Sequence, residues 1–380
     1  MIRVHLNLTE TANPAMGIGQ YARNIAEGLW RLGRYEIDAV AHRVDVCGLP
    51  FKVRRGFFPR RYFFDRQKWH RWCPLSYNAM VGDFRSDVSL FFPNMMPLMR
   101  VRGKAIGVIH DLIPFRIPNV LIDECKWFTR ASLAAYCEKH EHLAHNADRV
   151  ITVSEYSRRE IAKEFGLDES SIAVVPNGVD AERYAQLHPG DTPEGIVRAK
   201  YGLPDRFILY FGTTATYKNV GNLIRGYAQL PAICRNNVSL VVTHGNEALA
   251  KIAEEEGVAS QMRFLGFIPE EDKPSIYRLA NAFAFLSRIE GFGIPPLEAM
   301  AAGVPTLVSN CTTLPEVVGD GAETVDPDDI LEIGVKLERM LDDVCFRDML
   351  VEKGRKRATQ FSWDGAALKM AEVIDGLCVK

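Results

Sequence analysis

Short apolar runs alternate with amphipathic helical stretches over most of this chain. Residues 2–8 show the alternation of a strand, and residues 18–31 place Tyr21, Ile25 and Leu29 at i, i+4 and i+8 on one helical face. Further strands are expected near 36–41 and at 88–92, 105–109 and 150–153, the last reading Val150-Ile-Thr-Val153. Residues 51–72 break this rhythm. A second series opens with Phe207-Ile-Leu-Tyr-Phe-Gly212, an unbroken apolar run of the kind a strand covered on both faces requires. An amphipathic helix carrying Val220, Leu223, Ile224 and Tyr227 follows, then strand patterns at 239–243, 263–267, 282–287 and 305–309 with helices between. Helical patterns at 328–342 and 345–359 lead to Phe361-Ser-Trp363 and a final helix from Asp364. Two successive strand–helix series predict two parallel-sheet α/β domains. The turn signal Pro176-Asn177-Gly178 places the hinge between them.

A length of 380 residues suits this division, since domains run to ~100–200 residues each. The composition, 47% hydrophobic and 25% charged, excludes a disordered, collagenous or coiled-coil chain. With 46 Lys plus Arg against 48 Asp plus Glu the net charge is −2, so no global attraction to nucleic acid or anionic membranes arises. Eight scattered cysteines without a Cys-x-x-Cys pair argue against a zinc site and a disulfide scaffold, and point to a reducing cytoplasm. The first residues run straight into a strand pattern without the regions of a secretory signal. No window offers the ~18 uninterrupted apolar residues of a membrane span.

The stretch Glu290-Gly-Phe-Gly-Ile-Pro-Pro-Leu-Glu298 lies between the strand at 282–287 and a helix that Pro295 or Pro296 can open. A ligand at that strand's carboxyl end would meet main-chain N–H groups of Gly291–Gly293 and the positive end of the helix, a setting suited to an anion. Both glycines permit close main-chain approach, and Glu290 and Glu298 could accept hydrogen bonds from sugar hydroxyls. The same two acids also fit a helix-capping carboxylate and a first-turn acid.

From Glu290 to Thr306 the sequence resembles the E-x7-E signature of retaining nucleotide-sugar glycosyltransferases of family 4, and Leu314-Pro-Glu316-Val-Val-Gly-Asp320 continues the resemblance. It covers at least residues 105–365. The resemblance implies the GT-B fold: two Rossmann-like α/β domains facing across a cleft, with a C-terminal helix crossing back to the N-terminal domain. The domains are expected at 1–177 (acceptor) and 178–361 (donor), with 362–380 as the returning helix. It further implies that Glu290 contacts the donor sugar near the reacting carbon, that Glu298 binds ribose hydroxyls, and that the Phe292 and Gly293 amides, with Gly291 and Ile294 beside them, hold sugar oxygens.

Lys218 follows the strand ending at Gly212, and an ammonium there would neutralise a diphosphate leaving group. A lone lysine in a polar loop also fits a solvated surface charge; the resemblance favours a phosphate contact, and places Gly212 with the donor. Many members of the family carry an Arg beside this Lys or just after the Gly, where this chain has Tyr217 and Thr213; Arg288 is the substitute considered.

Met16-Gly17-Ile-Gly19-Gln-Tyr-Ala22 matches G-x-G-x-x-A and opens an alternative reading, an NAD-dependent Rossmann oxidoreductase. Thr9 to Met16 separate the first Gly from its strand, and the acids Glu36 and Asp38 fall early in the second strand, both contrary to that fingerprint. By resemblance Gly17 and Gly19 instead face the donor diphosphate. His110 and Asp111 stand at a strand's carboxyl end, where a neutral imidazole can hydrogen-bond a sugar and Asp111 can orient it. A His–Asp pair merely fixing a loop is the alternative, and the resemblance favours a place near the anomeric centre.

Residues 51–72 combine eight Lys or Arg with eight aromatics, opposed only by Asp65. That mix suits a lipid interface, where each basic side chain contributes about 1 kcal/mol near an anionic surface; a solvated loop with inward aromatics is the alternative. His140, His142 and His145 are expected on a solvated helix face, and Asp326-Pro-Asp328-Asp329, which contains a D-x-D, as a helix cap. No metal or other cofactor is expected. Taken together, the expected activity is transfer of a hexose, mannose from GDP-mannose as the first choice, to a hydroxyl of a glycan or lipid-linked saccharide, with retention, in cell-surface polysaccharide synthesis. His110, Glu290 and Lys218 are the catalytic set. Nucleic acid is not an expected partner, and the expected location is the cytoplasm, with peripheral contact at the inner face of the membrane.

Overall fold

The computed structural model describes residues 1–8, 17–41, 49–55, 85–92, 103–124 and 129–378. The chain forms two compact units, one of Met1–Gly178 with Trp363–Lys380 and the other of Val179–Ser362.

In the first unit, β1 (Ile2–Asn7), β2 (Tyr35–Ala41), β3 (Val53–Arg55), β4 (Val88–Phe91), β5 (Lys104–Val108), β6 (Arg149–Thr152) and β7 (Ile172–Val174) form a parallel sheet in the order β3-β2-β1-β4-β5-β6-β7. The helix Gly17–Arg31 buries Tyr21, Ile25 and Leu29, the face its spacing predicts. It lies against the helix Trp363–Cys378 at close range: a Cβ on Gly28 would stand 2.4 Å from that of Ala367, so only glycine fits. His5 and Asp38 are register partners on β1 and β2. Their side chains meet at 2.6 Å, and Arg54 of β3 closes on the same carboxylate oxygen.

In the second unit, β8 (Phe207–Tyr210), β9 (Ser239–Val242), β10 (Met262–Phe264), β11 (Ala282–Phe285), β12 (Thr306–Ser309) and β13 (Glu323–Val325) are ordered β10-β9-β8-β11-β12-β13, again parallel. β8, β11 and β12 are buried along their whole length, as two helical layers on a parallel sheet demand. The chain leaves β8 toward one edge, then returns to add β11 on the other side. That reversal opens a crevice at the carboxyl ends of β8 and β11, the place where open α/β sheets hold ligands. In the first sheet the reversal falls between β1 and β4.

Three short strands, β3, β7 and β13, were not expected from the pattern. Each has three residues and stands at a sheet edge.

Candidate functional site

The loops that follow β8 and β11 carry the second unit's chemistry. After β8 the chain turns at Gly212, whose N–H donates to Thr243 Oγ1 at 3.0 Å, tying this loop to the end of β9. A single 3-10 turn, Thr216–Lys218, then sets Lys218 at the mouth of the helix Val220–Ala228. Asn219 next to it holds φ at 60°, a left-handed conformation uncommon for a side-chain-bearing residue, and donates to the Pro327 carbonyl at 2.7 Å. After β11, the main-chain N–H of Arg288 donates to the Tyr217 carbonyl at 2.9 Å, so the two loops are stitched together.

This stitching brings Lys218 and Glu290 into contact. The Lys218 ammonium donates to Glu290 Oε1 at 2.5 Å, with both side chains largely buried. The rings of Tyr217 and Phe285 lie 5.0 and 5.5 Å from the nitrogen, adding a cation–π contribution. The Glu290 N–H donates to Thr312 Oγ1 at 3.2 Å, and Thr312 itself sits at φ 51°. Burial, then the Glu290 charge, pushes the nearby Tyr210 hydroxyl well above its ordinary value, so it stays a neutral donor.

Gly293 caps the next helix, Ile294–Ala301, with φ 99°, and a Cβ there would lie 2.6 Å from Leu314 Cδ2. Both counts require glycine. Pro295 and Pro296 carry no N–H, so Ile294 supplies the only main-chain donor in the first three helical positions. Phe292 is buried edge-on against Phe361 at 5.6 Å. A turn of main-chain amides next to the Lys218–Glu290 pair is a setting suited to an oxyanion or a sugar oxygen.

Two of the expected donor contacts already have protein partners. The Arg288 guanidinium is engaged by the Asp328 carboxylate, which Asn222 also contacts at 3.1 Å. Glu298, one turn into the helix, is buried, and its carboxylate is already met by Tyr184 at 2.7 Å, Lys273 at 2.6 Å and Tyr277 at 2.9 Å. Sequence reasoning missed Lys273 because Glu270-Glu271-Asp272-Lys273 reads as a solvated charge run. Tyr184 and Tyr277 give no signal that separates them from ordinary core aromatics.

In the first unit, Gly17 and Gly19 both lie inside the first turn of their helix. Two residues further on, the Tyr21 ring packs edge-on against His110 at 4.9 Å, and its hydroxyl donates to the Val175 carbonyl at 3.1 Å. His110, just beyond β5, is buried, and its Nε2 has no hydrogen-bond partner among the described residues. Burial first, and the His140 charge second, depress its pKa to about 3, so the ring is neutral at physiological pH. Asp111 Oδ1 accepts the Ile113 N–H at 3.0 Å. The expected solvated face of three histidines holds for His142 and His145 alone. His140 is buried and stacked on Tyr136 at 3.9 Å, because position 140 shares the inward face with Tyr136 and Leu143. Asp329 caps its helix by accepting the Glu332 N–H. Residues 56–72 of the basic aromatic stretch lie outside the described residues. No helix among the described residues is long and apolar enough to cross a membrane.

Each unit is a doubly wound parallel sheet, and at the second's switch point an ammonium, a carboxylate and a glycine-capped helix start stand together, a setting suited to an anionic, sugar-bearing ligand. Comparison with known proteins agrees. The profile described as "Glycosyltransferase Family 4" matches residues 15–183, and that of "Glycosyl transferases group 1" matches 196–357. The O-antigen chain mannosyltransferase B of Escherichia coli is 32% identical over 268 residues, 69% of this chain and 67% of that protein. The serotype-specific mannosyltransferase WbdA, also of Escherichia coli, is 30% identical over 278 residues, 72% of this chain, which spans only 33% of that longer protein. Among solved structures, WaaG, a glycosyltransferase involved in lipopolysaccharide biosynthesis, superimposes with a TM-score of 0.75 at 17% identity, covering 98% of this chain and 100% of that one. The chain belongs to glycosyltransferase family 4, and the oxidoreductase alternative is set aside.

Proposed function

We propose that this enzyme transfers mannose from GDP-mannose to a hydroxyl of a glycan or lipid-linked saccharide, with retention at the anomeric carbon, in the synthesis of a cell-surface polysaccharide. The first unit is assigned to the acceptor and the second to the donor. The observation that carries the reading is the Lys218–Glu290 pair at the β8/β11 switch point beside the start of the helix at Ile294. The names of the mannosyltransferase relatives support the choice of sugar.

In this reading the Lys218 ammonium takes up charge as the bond to the diphosphate breaks, and the Glu290 carboxylate steadies the positive character that develops at the sugar. The departing phosphate accepts the acceptor's proton on the same face, so the new glycosidic bond forms where the old one broke. His110, uncharged and with its Nε2 open, suits a hydrogen bond to a sugar hydroxyl without adding a second cation. Gly17, Gly19, Asp111, Gly212, Arg288, Gly291, Phe292, Gly293, Ile294 and Glu298 are assigned to donor binding; for Arg288 this requires exchange of Asp328 for phosphate.

A panel of UDP-, GDP- and dTDP-sugars scored by thermal shift and slow donor hydrolysis tests the proposal. GDP-mannose should give the largest shift and the fastest hydrolysis, and a preference for another sugar nucleotide would replace it. Residues 51–72 are proposed to touch the inner face of the membrane. Flotation with anionic vesicles should fall when their basic residues are changed to Glu, and equal flotation of variant and parent would remove that contact.

A further inference from the structure

Glu298 sits in an unusually complete cage for a carboxylate assigned to a ligand. Its side chain is 4% exposed and that of Lys273 is 8% exposed. Oε1 accepts from both Tyr184 (2.7 Å) and Lys273 (2.6 Å), while among the described residues Oε2 accepts only from Tyr277 (2.9 Å). A carboxylate has about four acceptor positions, so the one these contacts leave lies on Oε2. Both tyrosine hydroxyls are held well above their ordinary pKa, first by burial and then by the Glu298 charge, so they remain donors.

A carboxylate this deeply buried calls for a countercharge beside it. Lys273 is that countercharge. Its neighbour Asp272 is taken by Lys200 at 2.5 Å and Tyr201 at 2.6 Å, and Glu270, half-exposed, stands 3.9 Å from the Lys273 nitrogen. The Phe211 ring covers the ammonium at 5.3 Å. With Lys273 and Tyr184 both on Oε1, the carboxylate plane is pinned and Oε2 is the edge left to a ligand.

We infer that Lys273 is a positioning residue for donor binding: by holding the Glu298 carboxylate turned through Oε1, it presents Oε2 to the ribose hydroxyls of the sugar nucleotide. This rests on the reading of Glu298 given above.

The test compares dissociation constants of the full chain for GDP and 2′-deoxy-GDP, and for UDP and 2′-deoxy-UDP, by calorimetry. The parent should prefer the ribose form of its own nucleotide, and Glu298→Gln should reduce that preference by about tenfold, the worth of one hydrogen bond to a charged group. Lys273→Met should reduce it similarly, with Lys273→Arg restoring it. Should Lys273→Met not fold, the Lys273→Met/Glu298→Gln variant carries no unpaired buried charge and is compared with Glu298→Gln; equal preferences are expected, since Lys273 acts only through Glu298. Undiminished preference in Glu298→Gln would overturn the ribose reading and this inference with it. A loss in Glu298→Gln combined with undiminished preference in Lys273→Met, or a further loss in the double variant, would overturn the role of Lys273 alone.

Discussion

Replacing Lys218 by Met removes one charge from the pair at the switch point. At 2.5 Å, two unit charges attract by roughly 6–7 kcal/mol at an effective dielectric of about 20. Desolvation offsets much of this, because the two side chains keep only 14% and 10% of their exposure. Taking away the ammonium alone forfeits the attraction but leaves the carboxylate buried, a loss of about 3 kcal/mol in stability at the lower end of the range for buried pairs. Lys218→Met/Glu290→Leu removes both charges and should recover most of that loss, since an apolar pair has no charge to desolvate. Turnover should not follow: the double variant and Glu290→Gln should both stay at least ~10²-fold below the parent. Urea unfolding of the parent, Lys218→Met, Glu290→Leu and the double variant measures the coupling, and donor hydrolysis on these and on Glu290→Gln measures turnover. Parent-like stability in Lys218→Met, together with parent-like turnover in Glu290→Gln, would refute the reasoning, for the two groups would then neither share a desolvated contact nor act on the donor.

Acid should weaken the first unit through His110 and His140, whose folded pKa values, about 3 and about 4, lie below the ordinary 6.5. Their contribution is fully present above 6.5 and is lost as pH falls below it, because the unfolded chain binds protons that the folded one refuses. His110→Gln should flatten that slope in pH-dependent melts, and an unchanged slope would deny its burial. The same neutrality predicts a pH–rate profile without a limb near 6.5 from His110; a limb that vanishes in His110→Gln would count against it. Burial raises the pKa of Asp38, but hydrogen bonds and charges from His5 and Arg54 outweigh this and hold it below its ordinary 3.8. Its stabilisation is therefore present above 3.8 and lost as pH falls through the lower folded value; Asp38→Asn should melt lower at neutral pH but converge on the parent in acid. Gly293→Ala should cost roughly 1–3 kcal/mol through its φ and the Leu314 contact and raise the donor KM; an unaltered melt would show that the turn can relax.

Much of the fold is legible in one dimension because the code for it is local. A strand covered on both faces must be apolar throughout, as Phe207–Tyr210 is, and a helix on a sheet must repeat its apolar face, as Tyr21, Ile25 and Leu29 do. The edge strand Ile172–Val174 is three residues long and did not stand out from its surroundings. The spacing from Glu290 to Glu298 likewise announces an acid in a strand-to-helix turn and another one helical turn onward. What those acids touch is a different kind of fact. Lys218 reaches Glu290 across 72 positions, and Tyr184 reaches Glu298 across 114. Such partners are chosen by how sheets and helices stack. The same stacking gave Arg288 to Asp328 and drew Lys273 out of an apparent surface charge run into the core. Periodicity acts between near neighbours along the chain, whereas countercharge and burial act between whichever groups packing brings within a few ångströms, and that is settled only when the chain has closed on itself.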